Sequence, residues 1–476
     1  MTSSRLATGK HMTTSTDDNS ASTSSKQSLP AATFNLVKAC IGSGVLALSS
    51  GVAAIGDVPP VLIPASLIII ILGALSAYSF HMIGRISQLI GDDESIRTTS
   101  TTPSSMIIKT ADIPSLSLAW KQELGPSTSW IVSLACFLTP FGAALTYSII
   151  LGDMISSLSS SLGNSFFAFR PWSILGVTSA ALYPLCHLPS LKALSPISMV
   201  GVVGMMFTTL FMFWRVPFFF ASSPYNIGLT SSTSSLLLSS LPSTFQPSFN
   251  KIGMTQVFSP RLLLIVSMAA TSYLVHFSAH DFYNGLKQAS MKQYAKLTQL
   301  GFAITVLMNI AIMSFGFLTF GGNSQGMILN NYSPYDMGAM ISRFIVTISL
   351  IGSYPLIFRG MKSAFFELFP KLETWDSIVT KTFLALLTGL ALILNNAGFM
   401  VSMVGALMGS AIIYIFPSVI FLSASQRRIQ SGQLVKTRRL IFERRVNKGL
   451  IVMGALFGLL GAVITTMTTF FPTAFN

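Results

Sequence analysis

A chain of 476 residues that is 51% hydrophobic and only 9% charged cannot cover a water-facing surface, because soluble domains carry roughly a quarter charged residues. Its net charge of +14 raises the question of a nucleic-acid partner, since basic patches bind phosphate. The basic residues instead fall between long apolar runs, which excludes a DNA- or RNA-binding module and indicates a protein oriented in a lipid bilayer.

Residues 1–30 are rich in Ser and Thr and have no apolar core, so they read as a disordered tail and not as a signal peptide. The remainder, 31–476, reads as one transmembrane domain. Apolar runs near 32–55, 61–83, 129–157, 171–189, 196–219, 259–290, 297–320, 340–358, 380–397, 399–422 and 449–471 predict about eleven membrane helices. Twenty-three of the 29 lysines and arginines fall in the tail and in alternate connections. That asymmetry places the N-terminus in the cytoplasm.

The first span, "FNLVKACIGSGVLALSSG", holds Lys38 and then Gly42, Ser43 and Gly44. Each glycine costs a helix about 1 kcal/mol relative to alanine. An unwound helix would aim the amides of Ser43, Gly44 and Val45 at a carboxylate, whereas small residues can equally serve close helix packing. Lys38 has two readings as well. Its stem can snorkel to the cytoplasmic face, or its ammonium can take the place of a bound sodium ion or exchange a proton.

Further along, residues 91–115 predict a mobile loop leading into "SLSLAWKQELG", a short interfacial helix. Asp153 and Asp281 are carboxylates at the membrane edge, where acids are functional candidates. The three cysteines, Cys40, Cys136 and Cys186, lie inside spans and suit packing. Residues 221–250 lack Lys, Arg, Asp and Glu and read as an irregular external loop. "NYS" at Asn331 matches the N-glycosylation acceptor pattern on the external side.

The sixth span, "SMAATSYLVHFSAHDFYNGLKQ", is the second interrupted segment. Interruptions at corresponding positions of two halves point to an inverted-repeat transporter. His276 and His280 stand four apart, as in some metal sites, so a membrane metalloenzyme is a rival reading. The other histidines, His11, His81 and His187, are too scattered to complete a ligand set. The favoured reading gives carbonyls near Thr271–Val275 to a substrate ammonium, His276 to the unwound segment, and Tyr273 and Phe277 to the pocket wall. In the eighth span, Thr347, Ser349 and Ser353 can bond back to their own helix or line a cation site beside the first span.

These segments together resemble the amino acid/auxin permease family within the amino acid, polyamine and organocation superfamily. "FNLVKACIGSGVLAL" resembles that family's first span, "HFSAHDFYNGLK" its sixth, "GFLTFGG" the end of its seventh and "NNAGFMVSMVGALMGSAIIYIFPSVIFL" its tenth. The resemblance implies an all-α membrane protein with a LeuT-like core of two inverted five-helix repeats plus one extra helix. It implies an amino acid bound between broken spans one and six. Lys38 stands where sodium-coupled members tend to carry asparagine and some proton-coupled members carry lysine, and Ser49 where many have proline. The expectation is therefore a secondary active amino acid transporter, proton-coupled or facilitative, at the plasma membrane or a vacuolar or lysosomal membrane. It binds substrate through Gly42, Ser43, Gly44, Val45, Tyr273, His276 and Phe277, and couples through Lys38, Ser349, Ser353 and Asp281. Neither a cofactor nor an enzymatic activity is expected; an amino acid sensor of the same fold, without flux, is the alternative.

Overall fold

Backbone immersed in hydrocarbon has no water for its N–H and C=O groups, so an apolar run closes its hydrogen bonds within itself as helix. The computed structural model describes residues 26–98, 114–188, 195–220, 223–225 and 245–471, and these are helical nearly throughout. Among them the only β-type pairings are isolated bridges, Gln27 with Leu286 and Ser248 with Gly321.

The first span is α1 (Leu29–Cys40) and α2 (Leu48–Ala53), joined through a 3-10 turn and bent by 44°. The second is α3 (Leu62–Thr98), followed by the short α4 (Leu116–Leu124) and the third span α5 (Ser129–Ser161). Next come α6 (Arg170–Val177), prolonged through a π-helical turn to Cys186, and α7 (Ser195–Arg215). The sixth span is α8 (Leu262–Ser272) and α9 (Ala279–Asn284), separated by Tyr273–Val275 and a 3-10 turn. Three long helices follow: α10 (Met291–Phe320), α11 (Met337–Leu368) and α12 (Asp376–Ile393). The tenth span runs from α13 (Ala397–Val404) through π-helical Gly405–Ile415 into α14 (Phe416–Gln430), and α15 (Arg438–Phe470) closes the chain.

Among the described residues, eight helical segments are long and apolar enough to cross a membrane, and the bent first pair makes a ninth. The segments expected at 171–189 and 196–219 are helical but shorter, so the count of eleven rests on those two. Other boundaries move too. Of the expected tail, residues 1–25 lie outside the described residues, whereas Leu29 and Pro30 already belong to α1. The loop expected from 91 begins later, because α3 runs on to Thr98; residues 99–113 lie outside the described residues. Most of the external loop at 221–250 lies outside them as well.

Polar contacts sort to two opposite ends, in agreement with the alternation of basic connections. At one end Gln27 pairs with backbone at Gly285 and Lys287. There Arg85 forms a two-pronged ion pair with Glu443 at 3.1 Å, and Lys362 meets Asp376 at 2.6 Å. At the other end Arg215 pairs with Asp336 at 2.7 Å and Arg170 with Asp153 at 2.6 Å. Asp57, buried there, accepts backbone N–H bonds from Lys251, Ile252 and Gly253 at 2.6, 3.0 and 2.7 Å. Burial alone would raise the pKa of Asp57, but the backbone donors outweigh it and hold the carboxyl below its usual range. Asn331 also lies at this end and is fully buried, its amide donating to the Asn323 carbonyl and accepting from the Gln325 N–H, both at 2.8 Å. The acceptor pattern at Asn331 is therefore a structural asparagine that ties a loop together, and its full burial leaves no room for a glycan in this fold.

Candidate functional site

Both sequence-predicted interruptions exist, and they meet. A Cβ built on Gly44 would stand 3.2 Å from the Ser272 backbone nitrogen and 3.3 Å from the Thr271 methyl. The second half of the "GSGV" motif is thus pressed against the end of α8, with Gly44 and Val45 buried. The small residues at this point serve close approach, the packing alternative raised by the sequence.

The open volume lies on another face of the first span. A cavity of about 510 Å³ runs along α1 from Leu29 to Gly42 and is walled by α5, α7, α10 and α11. It brings together Lys38, Gly42, Tyr147, Ser349 and Ser353, with Val37, Ile41, Ile150, Met308 and Leu350 among its apolar lining. Among the lining residues Lys38 is the only charged one. On the flank between α7 and α10, Met206, Leu300 and Ile304 are 55%, 51% and 41% exposed.

Gly42 sits at the bend itself, where α1 has ended and the next turn has yet to begin. The Tyr147 hydroxyl of α5 lies 3.3 Å from the place a Gly42 Cβ would occupy. Bare backbone and a phenol tip therefore stand side by side on the cavity wall. Sequence reasoning missed Tyr147; the available signal was a tyrosine amid "FGAALTYSIILG", where an aromatic body with a polar tip needs a partner. Below it, Lys38 packs its stem toward Gly201 of α7, with its Cε 3.7 Å from where a Gly201 Cβ would stand. The Ser349 hydroxyl fills the same notch, so glycine at 201 is what lets lysine and serine converge. Lys38, Ser349 and Ser353, expected together, do share one space.

The sixth span contributes differently from expectation. Tyr273, His276 and Phe277 do not line the cavity. Tyr273 is fully buried and donates to the Ile69 carbonyl at 3.0 Å, and His276 Nε2 lies 2.9 Å from the Ser76 carbonyl. Both contacts fasten the unwound segment to α3, which is the holding role expected of His276. Phe277 is half-buried among core side chains. The two-histidine motif does not converge, because His280 points to Asp281 at 3.3 Å while His276 is engaged with α3. Asp281 is 70% exposed at its side chain and stands apart from the cavity. Asp153 is likewise outside it, fixed between Arg170 and the Asn330 amide at 2.6 and 3.2 Å.

Comparison with known proteins agrees with this architecture. The family model described as "Transmembrane amino acid transporter protein" matches residues 25–467. A Danio rerio protein named "Putative sodium-coupled neutral amino acid transporter 11" is 23% identical over 422 residues, covering 85% of this chain and 81% of its own length. The Arabidopsis thaliana "Amino acid transporter AVT6E" is 27% identical over 338 residues, covering 69% of this chain and 60% of its own. In fold the chain is similar to the solved structure of MhsT in complex with L-phenylalanine, with a TM-score of 0.52 at 10% identity over 91% of this chain and 99% of that one.

Proposed function

The chain belongs to the transmembrane amino acid transporter family, and from that premise we propose that its cavity carries a neutral, apolar amino acid by alternating access, coupled to protons. Secondary amino acid transport by a multi-pass membrane protein follows from the family and the fold. The observation that carries the finer reading is the convergence of Gly42, Tyr147, Lys38, Ser349 and Ser353 on one cavity.

Each group has a task that fits its chemistry. The Gly42 N–H is taken by the Cys40 carbonyl at 2.9 Å, so the backbone N–H that follows it at the bend and the Tyr147 hydroxyl offer hydrogen bonds to a substrate carboxylate, the strong charge-assisted kind. Val37, Ile41, Ile150 and Met308 suit an apolar side chain, and the described lining residues, which include no carboxylate, disfavour a cationic one. The breaks at Gly44 and Ser272, in contact here, are the elements whose separation would open the path on the far side of the first span.

Lys38 supports proton over sodium coupling. A fixed ammonium about 4 Å from a metal cation opposes it by about 4 kcal/mol at an effective dielectric of 20. Ser349 and Ser353 can accept from or donate to the lysine as it changes charge. The basic end of the molecule faces the cytoplasm in this reading, and the cavity reaches that end at Leu29 and Pro30. Reconstitution into liposomes tests it. Uptake is expected to follow an inward proton gradient at constant sodium, and Lys38→Gln to lose that dependence. Sodium-driven uptake indifferent to pH would overturn the coupling. Binding without flux would make the protein a sensor.

A further inference from the structure

Residues 438–448 extend α15 beyond the lipid-crossing length and show a chemistry the transport cycle does not use. From Lys448 to Phe470 the helix rises about 33 Å, close to the roughly 30 Å of bilayer hydrocarbon. Lys448 therefore stands at headgroup level, with Arg445 about 5 Å and Arg438 about 15 Å farther out. At about 100° per residue, Arg438, Ile441, Phe442, Arg445 and Lys448 fall within an arc of about 120°. All five are exposed, Phe442 to 67% and Ile441 to 42%.

The same arc continues down the helix as Val452, Leu456, Leu459 and Val463, which are 52–69% exposed. These face lipid chains. The opposite face is buried in the protein: Leu440 and Asn447 are covered, and Glu443 is held by Arg85 at 3.1 Å and Arg439 at 3.3 Å. The acid of this segment is thus neutralised and turned inward, and the outer arc carries three cations with no counter-charge on it.

We infer that this arc of α15 binds an anionic phospholipid of the bilayer, its phosphate-bearing headgroup on Arg445 and Lys448, its chains along Val452–Val463, and Arg438 adding attraction from the water side. A continuous surface, apolar at membrane depth and cationic at headgroup depth, matches one amphiphilic molecule of opposite charge. A zwitterionic lipid returns a cation to the surface for each phosphate it brings. A soluble polyanion has no use for the exposed apolar run from Val452 to Val463, whereas a lipid covers it with its own chains.

The test uses the full chain in nanodiscs of equal parts phosphatidylcholine and phosphatidylglycerol, with co-purifying lipid measured by native mass spectrometry. Phosphatidylglycerol is expected to be enriched on the unmodified protein. The enrichment should fall about tenfold in the Arg438→Gln/Arg445→Gln/Lys448→Gln variant. The control, Lys287→Gln/Lys292→Gln/Lys371→Gln, neutralises three exposed lysines at the same end and should keep it. Equal loss in both variants would assign the effect to general basicity and overturn the site, as would no loss in the first. Displacement of the lipid by inositol hexakisphosphate, with Leu456→Ser/Leu459→Ser lacking effect, would overturn the choice of a bilayer lipid. Should the triple variant aggregate, salt decides: enrichment on the unmodified protein must collapse near 1 M salt, where screening acts within about 3 Å, and enrichment that survives refutes the electrostatic seat.

Discussion

Gly42→Leu separates a binding backbone from a packing one. Gly42 has φ −98° and ψ −153°, an extended conformation open to any residue, so the substitution adds no backbone strain. The new Cβ would meet only the Tyr147 hydroxyl, at 3.3 Å, and the rest of the side chain would enter the cavity. Leucine favours membrane insertion by about 0.3–0.6 kcal/mol on the biological scale, so assembly should be unaffected. The substrate, in contrast, would lose hydrogen bonds from the bend and from Tyr147. Bonds to a charged group contribute about 1.5–3 kcal/mol each, so losing two weakens binding by at least about a hundredfold. Isothermal titration with purified protein, beside a melting curve, measures both quantities. A variant that melts lower yet binds with unchanged affinity would assign Gly42 to packing, and one that matches the parent in both would show that it serves neither; either result would refute the site.

Three other outcomes follow from the geometry. Gly405→Ala should lower the melting temperature even though alanine is the better helix former, because its Cβ would overlap the Ser267 carbonyl and lie 2.5 Å from Thr271 Oγ1; overpacking of this kind costs about 1–3 kcal/mol. Asp57, whose carboxyl is held below its usual pKa, should contribute stability that is full above the ordinary carboxylate range and is lost as pH falls through the depressed value. Asp57→Asn should flatten that acid limb in melting curves recorded against pH, and an unchanged limb would contradict the backbone cradle. Asn331→Ala should destabilise by about 1–3 kcal/mol, since it strands the Gln325 N–H and the Asn323 carbonyl, and glycosidase treatment of the parent should produce no mobility shift attributable to this site.

What could be read in advance divides along a physical line. Spans, interruptions and the alternation of basic connections were legible because lipid imposes local rules: a run is apolar or it is not, and "IGSGV" weakens helix wherever it stands. The short helix expected in "SLSLAWKQELG" was legible too, and it runs from Leu116 to Leu124. Lys38, Ser349 and Ser353 could be grouped because a charge and hydroxyls in oil demand company. Which way each side chain of the breaks would face was not legible. Gly44 turned to Ser272 and Gly42 to the cavity, two residues apart, because a 3-10 turn rotates them to different neighbours.

The same division explains Tyr273, Tyr147 and the polar residues at the end that holds Asp57 and Asn331. Nothing local distinguishes a tyrosine that anchors to the Ile69 carbonyl from one that faces Gly42. Asp57 in "GDVPP" looks like an ordinary turn residue until Lys251–Gly253, nearly two hundred positions later, bring their N–H groups to it. Asn331 matches a glycan acceptor in three letters and is excluded by its burial. Hydropathy and charge, summed along the chain, were sufficient to specify a multi-pass helical protein with two weakened spans. The rotation of each helix about its axis, set only by what packs beside it, decided which of those residues meet in the cavity.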